Sequence, residues 1–165
     1  MTPDDCAIRP ARAEDFADFL RIYRAILEAG ETYPNPTDQP DAVTYEAWFE
    51  RTTLTCMAEQ SGKLVGAYKI LPNQPGRGAH IANASYIVDP ALHGRGIGRW
   101  MVEHSMENAR RAGFRAMQFN YVISSNGGAI RLYESLGFRV LARLPEAFDH
   151  ATLGLVDALV MHRRL

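Results

Sequence analysis

Three glycines at alternate positions, Gly94, Gly96 and Gly98, form the segment of this sequence with the clearest chemical meaning. An apolar run precedes them and an amphipathic stretch follows, which predicts a turn from a strand into a helix. Glycine permits positive φ and lets a ligand approach the backbone closely. The start of a helix offers unpaired N–H groups and partial positive charge, so the segment suits a pyrophosphate. Arg95 and Arg99 add charge at the same place.

Three kinds of nucleotide site compete for this turn. A P-loop ends in Gly-Lys-Ser or Gly-Lys-Thr, which this sequence lacks. A dinucleotide fingerprint needs a glycine where Arg99 or Met101 stands, and an acidic residue about 20 positions further on, where this chain has an apolar one. Two interpretations remain: a coenzyme A site, and a glycine-rich turn that binds no ligand.

The hydrophobic periodicity predicts one α/β (α+β) domain over residues 1–165, a mixed sheet with helices on its faces. Strand 81–88, the helix after the turn and strand 115–123 are predicted to form a parallel β-α-β unit. Residues 61–63 predict a hairpin turn, and a loop is expected around 145–154. Strands are predicted at 7–10, 53–58, 63–71, 81–88, 115–123, 139–144 and 155–162, and helices at 13–29, 44–51, 96–112 and 126–136.

Two motifs resemble those of the GNAT superfamily of N-acetyltransferases. The turn reads His93-x-x-Gly96-x-Gly98, where the family has Gln/Arg-x-x-Gly-x-Gly/Ala, so His93 departs from the usual first residue. The family next shows Asn-x-x-Ala-x-x-x-Tyr-x-x-x-Gly-Phe, and this chain has Asn126, Ala129, Tyr133, Gly137 and Phe138 at that spacing. The resemblance covers nearly the whole chain. It implies the GNAT fold, with a mixed, mostly antiparallel sheet, and acetyl-CoA as cosubstrate.

The resemblance also implies where acetyl-CoA lies. In GNAT proteins the strand before the turn is splayed from its neighbour, and the pantetheine arm pairs with its exposed backbone. Asn126 either caps its helix or bonds the pantetheine, and both roles can hold together. The cosubstrate-binding residues implied are Ile87, Val88, His93, Gly94, Arg95, Gly96, Ile97, Gly98, Arg99, Asn126, Ala129 and Tyr133.

The stretch from Leu71 to Leu165 is similar, more narrowly, to the fungal N-acetyltransferases that act on the proline analogue azetidine-2-carboxylate. The resembling segments are 72–78, 80–84, 118–122 and 156–158. This likeness implies a small amino or imino acid as acceptor, with Asn83 contacting it and Asn120 at the reacting centre. Tyr86 and Tyr33 are expected to contribute to the acceptor site, Tyr33 as a lid in loop 31–36.

Acetyl transfer requires the acceptor amine to lose its proton before it attacks the thioester. With an amine pKa near 10.4, about one molecule in 10³ is neutral at pH 7. Strand 81–88 holds no carboxylate, so no strong general base is expected there. Asn83 and Asn120 can orient the amine, hold a carboxylate or polarise the thioester oxygen. Tyr133 can protonate the departing thiolate. Each of the three also has a purely structural explanation, as a partner of backbone groups or as a core aromatic.

Composition limits the partners. The formal net charge of −1 gives no overall field for nucleic acid or an anionic membrane. No apolar run reaches the length of a membrane span, and the acidic segment 1–5 lacks the form of a signal peptide, so a cytoplasmic location is expected. The histidines lack metal-ligand spacing, so no metal is expected.

Three functions follow from the sequence. The first is N-acetylation of a small amino or imino acid by acetyl-CoA. The second is acetylation of a protein or peptide, and the third is a non-catalytic module that binds acyl-CoA. The GNAT resemblance also implies that two copies of the chain can pair through their C-terminal strands.

Overall fold

The structure is a computed structural model that describes residues 5–165. The segment 1–4 lies outside the described residues. It contains most of the acidic start on which the expectation of no signal peptide rests. Seven strands form one sheet in the order β1-β2-β3-β4-β5-β7-β6. The strands are β1 Cys6–Pro10, β2 Leu54–Gln60, β3 Lys63–Pro72, β4 Ile81–Val88, β5 Ala116–Ile123, β6 Arg139–His150 and β7 Gly154–Arg164. The helices are α1 Phe16–Ala29, α2 Asp41–Tyr45, α3 Ile97–Arg111 and α4 Gly127–Ser135.

Among the strands of the described residues, only one neighbouring pair is parallel. β4 and β5 run in the same direction on either side of α3, and every other pair is antiparallel. The predicted mixed, mostly antiparallel sheet with a central β-α-β unit is therefore confirmed.

Two hydrophobic clusters lie on opposite faces of the sheet. α3 packs on one face and buries Ile97, Met101, Val102, Ser105, Met106 and Ala109. α1 packs on the other face, and its cluster takes in Ile87 of β4. Tyr86, the preceding residue, joins the α3 cluster, as the alternation of side chains along a strand requires.

Local turn chemistry places the elements around the site. Ser61 and Gly62 both have positive φ, 49° and 75°, which is the requirement of a two-residue I′ hairpin. α4 ends with the Phe138 N–H donating to the Tyr133 carbonyl at 3.0 Å and the Gly137 N–H to that of Glu134 at 2.9 Å. This is a Schellman ending, and Gly137 at φ 84° supplies its left-handed residue.

Two predicted boundaries are wrong. The helix expected at 44–51 begins at Asp41, and its second half, Glu46–Glu50, is a single π turn. The loop expected at 145–154 is mostly strand, because β6 continues to His150. Pro145 falls at an irregularity between Leu144 and Phe148, where Glu146 has φ 48°, and the pairing with β7 resumes beyond it. An edge strand tolerates proline at such a position.

Candidate active site

A gap opens between β4 and β5 near the middle of the sheet. The two strands pair only from Ile81 to Asn83 on one side and from Ala116 to Gln118 on the other. β5 then carries one extra residue relative to β7, between Phe119 and Val122. Such a bulge bends a strand and redirects side chains, so it separates β5 from β4 and places Asn120 and Tyr121 beside the gap.

The backbone of β4 presents hydrogen-bonding groups to this gap. The Asn73 N–H donates to the Ile81 carbonyl at 2.8 Å and the Asp89 N–H to the Val65 carbonyl at 2.9 Å. The odd-numbered residues of β4 therefore face β3, and the backbone of Tyr86 and Val88 faces β5. Within the described residues no strand pairs with β4 there, so an extended ligand can take that place.

A cavity of about 700 Å³ fills the gap. Its lining includes every predicted site residue except Arg95: Tyr33, Asn83, Tyr86, Ile87, Val88, His93, Gly94, Gly96, Ile97, Gly98, Arg99, Asn120, Asn126, Ala129 and Tyr133. The elements thus bring together residues that are up to 100 positions apart in the chain. The described residues contain no cluster of three or more His, Cys, Asp or Glu side chains arranged to hold a metal ion.

The glycine-rich turn closes one end of the cavity. Asp89 first accepts a hydrogen bond from the Ala91 N–H at 3.0 Å, which fixes a short 3₁₀ turn after β4. Gly94 and Gly96 then take φ of 79° and 81°, a region that costs other residues about 1–2 kcal/mol. α3 begins directly after Gly96, so its first N–H groups have no partner within the helix, which suits them to bind an anion at the cavity.

The two arginines of this turn differ in their surroundings. The guanidinium of Arg99 donates to the Ser135 hydroxyl at 2.6 Å and to Glu103 at 3.3 Å, so it joins α3 to α4 at the cavity wall. Arg95 is exposed, lies outside the cavity lining and makes no ion pair with any described residue. Its predicted contact with the cosubstrate stays a prediction.

Tyr133 projects from α4 into the cavity beside β5. Its ring centroid lies 4.5 Å from that of Phe119 and 5.9 Å from that of Phe138. Burial raises the pKa of Tyr133 to about 12. The phenol is therefore protonated at neutral pH, and no described residue accepts a hydrogen bond from it. It is available as a proton donor.

Four amide side chains form a network at the point where the strands separate. The Gln118 amide donates to Asn120 Oδ1 at 2.9 Å, and Asn120 Nδ2 donates to Asn73 Oδ1 at 2.7 Å. Asn83 Nδ2 donates to the Gln118 carbonyl at 3.0 Å. Each nitrogen keeps a second N–H, so Asn83 and Asn120 are oriented by the network and still have donors available. No described residue of the cavity lining is an aspartate or glutamate.

Two tyrosines line the cavity at β4, one from the loop after α1 and one from the strand itself. The Tyr33 hydroxyl donates to the backbone carbonyl of Tyr86 at 2.8 Å, one of the carbonyls that face the gap. The Tyr86 hydroxyl is turned away and bonds Ser105 of α3 at 2.7 Å. Tyr86 therefore presents its ring and backbone to the cavity rather than its hydroxyl. Burial raises the pKa of both groups well above that of free tyrosine.

Asn126 lies both at the start of α4 and in the lining of the cavity. Its side-chain oxygen accepts a hydrogen bond from the Ala129 N–H at 3.1 Å, so it caps α4. It also lines the cavity. The predicted cap is therefore confirmed, and the contact with a pantetheine arm stays a prediction.

The acetyltransferase (GNAT) family matches residues 18–138 of this sequence. The chain belongs to the GNAT family. The match includes the glycine-rich turn, both strands beside the gap and the Asn126 to Phe138 motif, which are the features that build the cavity.

Two curated relatives illustrate the range of this GNAT protein's sequence neighbours. N-acetyltransferase aca1 of Schizosaccharomyces pombe is 32% identical over 128 residues, 68% of this chain and 61% of aca1. The match therefore spans less than two thirds of aca1. L-amino acid N-acyltransferase MnaT of Escherichia coli is 31% identical over 146 residues, 85% of this chain and 83% of MnaT.

Solved structures show the same GNAT architecture. A GCN5-related N-acetyltransferase from Kribbella flavida is 40% identical and superposes with a TM-score of 0.94, covering 98% of this chain and 99% of its own. The protein yncA from Salmonella typhimurium, solved with its cofactor acetyl-CoA, is 28% identical with a TM-score of 0.82. The yncA alignment covers 98% of this chain and 95% of yncA.

Several residues of the GNAT site were not anticipated from sequence. Ser85 lines the cavity on the same face of β4 as Asn83, and simple alternation along the strand would have indicated it. Asn35 and Tyr121 also line it. Tyr121 reaches the cavity because of the bulge in β5, and no local pattern in the sequence predicts that bulge.

Proposed function

We propose that this protein transfers an acetyl group from acetyl-CoA directly to a small amine, an amino or imino acid of the proline-analogue type. The observation that supports this most is the gap between β4 and β5. It has helix N–H groups suited to an anion at the glycine-rich turn, a stretch of β4 backbone that no described strand pairs with, and Tyr133 and Asn120 on its β5 side. The relative MnaT is named as an L-amino acid N-acyltransferase, which supports the acceptor class.

In the proposed reaction the amine nitrogen uses its lone pair to form a C–N bond with the thioester carbonyl carbon. The C–S bond then breaks, and the sulfur leaves with the bonding electrons. Tyr133 gives its phenolic proton to this thiolate. The nitrogen loses its extra proton to water, because no described carboxylate lines the cavity, and water returns a proton to the Tyr133 phenolate.

Deprotonating the amine costs roughly 4–5 kcal/mol at neutral pH for a pKa near 10.4. A partly apolar cavity lowers this cost, because removing the ammonium from water disfavours its charged form. Asn83 and Asn120 are proposed to orient the acceptor and to donate hydrogen bonds to the thioester oxygen as negative charge develops there. Tyr33 closes the acceptor side, and the Val88 backbone pairs with the pantetheine arm.

The test measures release of the coenzyme A thiol from acetyl-CoA with a panel of acceptors. The panel contains azetidine-2-carboxylate, proline, common amino acids, polyamines and a basic peptide. Asn120→Ala and Asn83→Ala are measured beside Asn108→Ala, an asparagine on α3 outside the cavity lining. We expect turnover with amino or imino acids, lost by at least tenfold in the first two variants and kept in the third.

Other outcomes separate the alternatives. Release with the peptide alone would assign a protein or peptide acceptor and reject the small-molecule proposal. Thermal stabilisation by coenzyme A without turnover of any acceptor would favour an acyl-CoA-binding module.

We also propose that two copies of the chain pair through β6. This strand forms one edge of the sheet and exposes Val140, Leu141 and Leu144.

A further inference from the structure

A second cavity, of about 380 Å³, adjoins the active-site cavity. It lies between residues 30–37, Tyr121 and the segment 147–149, and we call it the vestibule. The two cavities share Tyr33, Pro34, Asn35 and Tyr121. None of the described residues that line the vestibule belongs to the glycine-rich turn, so the vestibule reaches the gap from a different side than the anion site does.

The walls of the vestibule are held in place by their own hydrogen bonds. The Gly30 carbonyl accepts from the Ala151 N–H at 2.9 Å, which joins the end of α1 to the turn between β6 and β7. Asn35 Nδ2 donates to Gln39 Oε1 at 3.0 Å, and Gln39 in turn donates to the Thr44 hydroxyl at 2.8 Å. The loop that forms one wall is thus tied to α2.

Hydrogen bonds within the protein already use most of the donors of the polar side chains that the two cavities share. The Tyr33 hydroxyl donates to the Tyr86 carbonyl, and the Tyr121 hydroxyl donates to the Ala147 carbonyl. A hydroxyl has one hydrogen and two lone pairs, so both tyrosines keep only acceptor capacity. Asn35 keeps its carbonyl oxygen and one N–H, and the exposed Thr37 can act either way. The vestibule therefore offers mainly hydrogen-bond acceptors.

The charged residues of the vestibule also favour a cation over an anion. Among the described residues that line it, Asp149 is the only charged one, and no lysine, arginine or histidine is present. The active-site cavity, by contrast, has Arg99 and His93 near the turn. A carboxylate in the vestibule would face a like charge and lone pairs, whereas an ammonium group would find a counter-ion and acceptors.

We propose that the vestibule binds a second, non-reacting cationic group of the acceptor, with Asp149 as its counter-ion. Within the proposed class of small amino and imino acids, the preferred acceptors are then those that carry a second, basic group. This inference rests on the proposed function, because it assumes that the acceptor reaches the thioester through the vestibule.

Three amino acids of similar length isolate the contribution of the distal charge to binding. They are lysine, norleucine and 2-aminoadipate. Norleucine lacks only the distal ammonium of lysine, and 2-aminoadipate ends in a carboxylate. Their affinities are measured by isothermal titration calorimetry on the full chain saturated with coenzyme A, and their acetylation rates in parallel. Because Asp149 is exposed, lysine is expected to bind up to about fivefold more tightly than norleucine, the upper end for a solvent-exposed ion pair, and 2-aminoadipate most weakly.

Asp149→Asn is expected to remove the preference for lysine over norleucine and to leave norleucine binding unchanged. Glu146→Gln is the matched control, because Glu146 is an exposed carboxylate of β6 that does not line the vestibule. An unchanged lysine preference in Asp149→Asn, an equal loss in both variants, tightest binding of 2-aminoadipate, or no binding of lysine would overturn the inference. Lysine binding that depends on Asp149 without any acetylation would instead reject the proposed reaction and leave the vestibule's cation site standing.

Discussion

At the scale of single residues, the chemistry of the site depends on which groups keep their protons. Tyr133 lies among Phe119, Tyr86 and Phe138, and this burial disfavours its phenolate. The coenzyme A thiol has a pKa near 8.5, if it resembles a free cysteine thiol. A phenol with a pKa of about 12 stays protonated at neutral pH. It is a weaker acid than the thiol, so its proton passes to the sulfur while the C–S bond breaks, and a proton from water then replaces it.

Tyr133→Phe should therefore lower kcat by roughly 10²-fold, the lower end for loss of a general acid, and leave the KM for acetyl-CoA nearly unchanged. The active form of Tyr133 is the protonated one, present below its pKa. Because burial raises that pKa to about 12, Tyr133 should cause no loss of activity as pH rises through 10. A pH profile of kcat for the two proteins checks both statements.

Tyr45→Phe serves as the control for this substitution, since Tyr45 is a half-buried tyrosine of α2 outside the cavity. It should keep wild-type kcat. An alkaline decline with a midpoint near 10 that disappears in Tyr133→Phe would contradict the effect assigned to burial. An unchanged kcat in Tyr133→Phe would remove the general-acid role.

At the scale of elements, the turn between β4 and α3 positions the anion site through backbone conformation. Gly96 has φ 81°, and a side chain there would meet no atom within 4 Å. Glycine is therefore required at position 96 by the positive φ, and not because room for a side chain is lacking. Gly98 lies inside α3, and a Cβ there would make an ordinary contact with Leu132 at 3.7 Å.

Gly96→Ala should raise the KM for acetyl-CoA about tenfold, because about 1–2 kcal/mol of left-handed strain is relieved by shifting the N–H groups of the turn. Gly113→Ala is the matched control. Gly113 has φ 88° at the far end of α3, so this variant should lose similar stability without a change in KM. Steady-state kinetics and thermal unfolding of both variants test the prediction, and an equal rise in KM would show that the strain acts through the whole helix.

The fold and the site were predictable to different extents. Periodicity predicted the helix after the glycine-rich turn, and residues 61–63 predicted the hairpin between β2 and β3, because each depends on residues near one another in sequence. The continuation of β6 past Pro145 was missed, since pairing with β7 outweighs the local preference of proline. The bulge that exposes Tyr121 depends on register against β7, which no local pattern encodes.

Side-chain partners that lie far apart in sequence were also missed. Lys69 reads as a polar position of a strand. In the structure its ammonium donates to the Ala47 carbonyl at 2.8 Å and lies 4.8 Å from the centre of the Trp48 ring. Burial lowers the pKa of Lys69 to about 8. The hydrogen bond from Tyr33 to the Tyr86 carbonyl is a similar case, because it links residues 53 positions apart.

At the scale of the whole molecule, the two edges of the sheet are unlike. β1 has five residues, ends at Pro10 and has Arg9 paired with Asp15 at 2.7 Å and Glu59 at 2.5 Å. Short length, proline and charge are the usual protections of an edge strand. β6 has twelve residues, and its outer part exposes Val140, Leu141 and Leu144. A long edge with exposed leucines is suited to a partner, which is the basis for proposing that two copies pair there.

The wild-type chain should therefore sediment as a dimer, and Leu141→Lys should convert it to a monomer. Leu141 is 62% exposed in the single chain, and a twofold axis through the edge would bring two buried lysine charges together. Val43→Lys is the matched control, because Val43 is 48% exposed on α2, which is not part of the sheet edge, and this variant should remain dimeric. Sedimentation velocity over a range of protein concentrations decides the point. A wild-type chain that stays monomeric throughout, or a dimer that Leu141→Lys leaves intact, would show that the exposed leucines of β6 do not serve as an interface between copies.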